Sequence, residues 1–122
     1  MPLPCRILAG LLVFILAQPP HLLANPQGGQ VRQGQVRIDA SPGQLRIHQQ
    51  SQRAVIDWES FSIDRGEVTR FLQPNASAAA LNRVRGESAS RIEGMLRANG
   101  NVYLINPNGI LVGPGGTIDV HG

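Results

Sequence analysis

Val102, Ile110 and Ile118 each open a short apolar run, eight residues apart, and each run follows a corner rich in glycine or asparagine: Asn99-Gly100, Asn108-Gly109 and Gly115-Gly116. Short strands with tight corners at even spacing predict a parallel β-solenoid, in which the chain coils and each face stacks on the coil before it. A β-sandwich also uses short strands at roughly 8–12-residue spacing. The period therefore prefers the solenoid without excluding the sandwich.

The preceding residues carry the same pattern. Val36-Arg37-Ile38, Leu45-Arg46-Ile47, Val55-Ile56-Asp57-Trp58 and Val68-Thr69-Arg70-Phe71 come first. Leu81-Asn82-Arg83-Val84 and Ile92-Glu93-Gly94-Met95-Leu96 lead into the regular third. Most alternate apolar with polar, as a strand with one buried face does. The best helix candidate, Ala76 to Leu81, is too short to compete. With 14 Gly and 9 Pro the chain favours turns over long helices, and an all-β fold is the reading.

The first residues read as an address. Arg6 precedes an apolar run from Ile7 to Ala17, followed by Pro19-Pro20 and a small residue at Ala24. This is the pattern of a secretory signal peptide over residues 1–24, cut after Ala24 and handled by the Sec machinery. A membrane span needs about 20 apolar residues, more than this run supplies. Cleavage removes Cys5, the one cysteine, so residues 25–122 can form neither a disulfide nor a cysteine-based zinc site. All 11 basic residues are Arg, against 8 acidic residues, for a net charge of +3. The arginines are dispersed and aromatics are 4% of the chain, which argues against nucleic acid as a partner.

Individual residues point to structure more than to chemistry. Asn106-Pro107-Asn108-Gly109 has the composition of a type I turn: Pro sets φ at the second position, Asn bonds back to the backbone, and Gly relieves the exit. Trp58 and Phe61 suit a core or cap better than sugar stacking. Asp57 and Glu59 share a strand face and read as solvent-facing charges rather than a glycosidase pair. Arg83 and Arg85 straddle Val84, on a solvated face or facing an acidic partner. His48 and His121 have no metal-ligand spacing, and no Gly-x-Ser-x-Gly elbow or phosphate loop is present. No catalytic residue and no cofactor are implied.

Several stretches taken together are more specific. Ala54 through Ile63, Val68 through Gln73-Pro74-Asn75, Leu81-Asn82-Arg83-Val84, Ser90 through Leu96, and above all Ala98-Asn99-Gly100-Asn101-Val102-Tyr103-Leu104-Ile105-Asn106-Pro107-Asn108-Gly109-Ile110 occur in order behind the signal peptide. The set resembles the N-terminal secretion domain of two-partner-secretion exoproteins of the filamentous-haemagglutinin and high-molecular-weight-adhesin type. The resemblance runs from about Gln30 to Gly122.

That resemblance implies a right-handed parallel β-helix with N-terminal capping strands, at the front of a large exported adhesin, haemolysin or toxin. It implies a targeting element rather than an enzyme. Its partner is the periplasmic domains and pore of a dedicated outer-membrane β-barrel transporter. The product is expected at the surface of a Gram-negative bacterium or in the medium, by way of the periplasm. Asn106, Pro107, Asn108, Gly109 and Ile110 match the family's secretion motif. Trp58, Phe61, Asn82, Arg83, Asn99 and Gly100 are candidates for structure or transporter recognition. Where some members carry Asn-Pro-Asn-Leu, this chain has Gln73-Pro74-Asn75-Ala76.

The stop at Gly122 leads us to expect the first, truncated part of such a domain, without the passenger that would meet host glycans or a cell surface. The amphipathic, Gln-rich segment Val31 to Ile47 is the candidate for strand addition to the transporter. A glycan-binding adhesin domain is the first alternative. A polysaccharide-active β-helix enzyme is the second, disfavoured by the lack of Lys and of clustered acids.

Overall fold

The computed structural model describes residues 25–121; the expected signal peptide lies outside them. Two strands come first, β1 (Gln30–Gln33) and β2 (Val36–Ser41). The chain then coils through β3 (Gln44–Gln49) and β4 (Arg53–Trp58), β5 (Val68–Leu72), β6 (Ala79–Val84) and β7 (Ser90–Ile92). It ends in β8 (Met95–Ala98), β9 (Asn101–Ile105), β10 (Ile110–Val112) and β11 (Thr117–Asp119). Among the described residues there is no helix, and the run considered for one leads into β6.

The strands stack in three walls. One has the order β1-β4-β6-β9, a second β2-β3-β5-β8-β11, and the third joins β7 to β10, with a bridge from Ile63 to Ile92 continuing it upward. Pairing is parallel throughout except where β1 meets β4 and β2 meets β3. That arrangement is a β-solenoid of about three turns under an antiparallel N-terminal cap. The sandwich alternative is excluded, because the strands of its two packed sheets pair antiparallel.

Register explains the eight-residue spacing. Ala54 pairs with Ala80 and Ala80 with Val102, steps of 26 and 22 residues. Thr69 pairs with Leu96 and Leu96 with Ile118, steps of 27 and 22. Those steps are the coil. Val102, Ile110 and Ile118 lie in β9, β10 and β11, one in each wall, so their interval is the distance from one face to the next within a single coil.

Alternation then fills the interior. Ile47 stands beside Phe71, Ala54 beside Ala80, and Trp58 beside Val84, and all six are buried. Phe61 closes on Trp58 edge-on, with centroids 5.6 Å apart and an interplanar angle of 81°. At the cap end, residues 25–29 lie across the first coil, with Gln27 N–H donating to the Ser60 carbonyl at 2.9 Å. Thr69 Oγ1 and Asn25 Oδ1 meet there at 3.0 Å inside the wall. At the other end Tyr103, Leu111 and Ile118 are 55%, 55% and 49% exposed. Burial therefore declines along the solenoid axis, from the capped coil to the last.

Candidate functional site

The motif residues form a corner fastened to the coil above. Gly109 N–H donates to the Asn106 carbonyl at 3.0 Å, closing the turn, and Gly109 exits at φ +107°, a region open chiefly to glycine. Asn106 Oδ1 accepts from Asn108 N–H at 2.8 Å and from Asn108 Nδ2 at 3.0 Å. The amide nitrogens reach out of the turn. Asn106 Nδ2 donates to the Ser88 carbonyl at 3.0 Å and to Ser90 Oγ at 2.9 Å. Asn108 Nδ2 donates to the Gly86 carbonyl at 2.8 Å. Ser90 N–H answers by donating to the Gly109 carbonyl at 2.9 Å. Above, Gly86 N–H donates to the Glu59 carbonyl and Glu59 N–H to the Gln27 carbonyl. One line of bonds thus runs from the cap to the motif.

A second corner is built from glutamines. Gln73 Nε2 donates to Gln49 Oε1 above and to the Asn101 carbonyl below, both at 3.1 Å. Gln73 Oε1 accepts from Gly100 N–H at 2.8 Å. Asn99 closes on the Gln73 backbone twice, accepting from its N–H at 2.7 Å and donating to its carbonyl at 2.8 Å. A Cβ at residue 100 would sit 2.8 Å from Gln73 Oε1 and 2.9 Å from the Ala78 carbonyl, so the approach requires glycine.

Asn82 is the polar member of the interior. It has no exposed surface. Its Oδ1 accepts from Trp58 Nε1 at 2.8 Å in the coil above, and its Nδ2 donates to the Tyr103 carbonyl at 3.2 Å in the coil below. The amide therefore sets the coils in register through the core.

Asp57 corrects the sequence reading. Glu59 is exposed, but Asp57 is 3% exposed, covered by arginines from two directions. Arg83 Nε donates to its Oδ1 at 2.7 Å, and Arg32 Nε and Arg85 Nε donate to its Oδ2 at 3.0 and 3.2 Å. Burial pushes the carboxyl pKa up, but hydrogen bonds from Arg83, Arg32 and Arg85 outweigh it and hold the pKa below the ordinary aspartate value. Arg83 and Arg85 are thus tied to a carboxylate, and Arg32 in β1 ties the cap to both coils.

The candidate residues occupy four places: the motif corner, the glutamine corner with Asn99 and Gly100, the core with Trp58, Phe61 and Asn82, and the Asp57 clamp with Arg83. No cleft gathers them. Among the described residues no group of three or more His, Cys, Asp or Glu could hold a metal ion. His48 Nε2 faces Asp39 at 3.2 Å, and His121 lies beyond β11. The segment 31–47 is already taken up in β1, β2 and β3, with β1 and β2 at the outer edges of their walls. Sequence reasoning missed the bonding roles of Gln49, Gln73 and Ser90 and the burial of Asp57. The step from Gln49 to Gln73 is 24 residues, close to one coil, and that period was the available signal.

Comparison with known proteins agrees with this architecture. Residues 23–122 match the family model of the TPS secretion domain. A heme/hemopexin-binding protein of Haemophilus influenzae strain Rd is 42% identical over 97 residues, which cover 80% of this chain and 11% of that protein. A second heme/hemopexin-binding protein of Haemophilus influenzae is 45% identical over 98 residues, with the same coverage of 80% and 11%. The chain thus spans about a tenth of the length of these relatives. The crystal structure of the HMW1 secretion domain from Haemophilus influenzae superposes with a TM-score of 0.69 at 38% identity, covering 73% of this chain and 24% of that one.

Two outcomes follow from the bonds described. Asn82→Ala leaves the Trp58 indole N–H buried without an acceptor and should cost about 2–4 kcal/mol in urea unfolding. In a Trp58→Phe background the same change should cost at least about 1 kcal/mol less. For Asp57, whose folded pKa is lowered, the stabilisation is complete above the ordinary aspartate pKa of about 3.9 and is lost as pH falls through the folded value. Asp57→Asn should therefore flatten the acid limb of stability against pH below about pH 4, and an unchanged limb would contradict the clamp.

Proposed function

The chain belongs to the TPS secretion domain family, and from that membership we propose that it is the export-targeting part of a longer protein, recognised in the periplasm by a dedicated outer-membrane β-barrel transporter. The short share of its relatives that it spans supports a passenger of further sequence. The product is delivered to the surface of a Gram-negative bacterium or to the medium, after entry to the periplasm by a signal peptide over residues 1–24. No chemistry of its own is assigned to the domain.

One observation carries this reading: the motif's Asn106 and Asn108 lie in a corner that leads into β10, and their side chains bond to the preceding coil. The outer membrane has no nucleotide supply, so forward movement must draw on another gradient. A chain that folds as it emerges is held outside, because retreat requires unfolding. A solenoid suits that task, since each repeat contacts mainly its neighbour and structure propagates by one coil at a time. Asn106 and Asn108 fasten the third coil, as it emerges, to the second coil already formed. The absence of cysteine from residues 25–122 keeps disulfide formation from locking the chain in an oxidising periplasm.

Co-expression with the cognate transporter tests the reading. The Asn106→Ala, Asn108→Ala double variant should lose about 1–3 kcal/mol of stability and be exported at a small fraction of the parent level. Export and stability both equal to those of the parent would contradict the assignment.

A further inference from the structure

The outer face of the β3–β5–β8 wall carries a row of three like charges. Arg46 pairs laterally with Arg70, and Arg70 with Arg97, and all three side chains are exposed. Adjacent strands hold them about 4.8 Å apart, where like charges directly opposite one another destabilise a sheet. The other arginine cluster of the molecule contains its own counter-ion, Asp57. In this row only Arg97 has a carboxylate, Asp119 at 3.7 Å, which also borders the groove beside Leu72. Asp39, opposite Arg46, is engaged by Arg37 at 3.5 Å and His48 at 3.2 Å. Among the described residues no carboxylate pairs with Arg46 or Arg70.

Shallow grooves flank the row. One, of about 270 Å³, includes Val68 and Met95 in its lining, and the other, of about 240 Å³, includes Leu72 and Ala98; Arg70 and Arg97 border both. The face thus alternates a line of guanidinium forks with half-buried apolar strips. Guanidinium binds carboxylate in a bidentate manner, and the apolar strips suit the C–H faces of sugar rings. The half-buried apolar strips between the guanidinium groups favour a ligand that carries apolar ring faces beside its carboxylates over a polyacidic peptide, which carries none. Single-stranded nucleic acid would want aromatic platforms, and Trp58, Phe61 and Phe71 are buried while Tyr103 lies on another wall.

We propose that this face binds an extended polyuronate, a polysaccharide with a carboxylate on every sugar, through Arg46, Arg70 and Arg97. The site is independent of the export motif, which lies at a different corner.

The test is calorimetric titration of the full secreted chain with polygalacturonate at low salt, with dextran, polyglutamate and single-stranded DNA as comparators. Polygalacturonate should bind more tightly than any of the three. The Arg46→Gln, Arg70→Gln double variant should bind it at least about tenfold more weakly. The Arg53→Gln, Arg65→Gln double variant, with the same loss of charge away from the row, should change affinity less than about twofold. Melting separates binding from folding: the Arg46→Gln, Arg70→Gln protein should melt at or above the parent temperature, because a repulsion has been removed. Absence of polygalacturonate binding, equal weakening in both double variants, or polyglutamate or DNA binding as tightly as polygalacturonate would overturn the proposal.

Discussion

A parallel coil leaves polar groups at its corners that no strand ladder takes up, and in this molecule side-chain amides supply the missing partners. Primary amides suit the position because each has donors and acceptors on one short group. Gln73 uses both, accepting from Gly100 and donating to Gln49 and Asn101. Asn106 and Asn82 do the same at the motif corner and in the core, while the Asn108 amide donates to Gly86 and Asn106. Among the described residues every buried side-chain nitrogen or oxygen has a partner. An apolar replacement at Gln73 or Asn82, both buried, strands groups on two coils at once, which is where the cost of an unmade hydrogen bond is greatest.

These bonds join a directional structure. The first coil is covered by antiparallel β1 and β2 and by the Asp57 clamp, which draws on Arg32 from the cap and on Arg83 and Arg85 from the second coil. The last coil presents Tyr103, Ile105, Leu111 and Val112 at its surface. A capped start on which each later coil stacks matches the physical needs of a chain that acquires structure from one end. The role proposed for the motif follows from its location. It does not organise a pocket; it attaches the third coil to the second.

The strands and the turn were legible because they are local. Alternation in Leu45-Arg46-Ile47 or Leu81-Asn82-Arg83-Val84 states which face is buried, and Asn106-Pro107-Asn108-Gly109 states its own turn. Vertical contacts were harder to read. Val102, Ile110 and Ile118 carry an eight-residue interval that belongs to one coil's circumference, and the coil itself, at 22 to 27 residues in two of the walls, is announced only by scattered repeats such as Gln49 and Gln73. Asp57 looked like a surface charge because its arginines lie 25, 26 and 28 residues away. Asn82 looked like one polar residue on a strand, and only stacking places it under the Trp58 indole. Family resemblance located the motif, and the geometry then accounted for its asparagines.

Native-state hydrogen exchange resolved by residue is the measurement that bears most directly on coil-by-coil stapling. Amides of β3, β4 and β5, next to the cap, should exchange most slowly, and Asn106→Ala should accelerate exchange in the coil that holds β9 and β10 while leaving the first unchanged. Uniform protection along the whole chain, or acceleration of all coils alike by that one substitution, would mean that the solenoid opens as a single unit and that its corners do not act as separate fasteners.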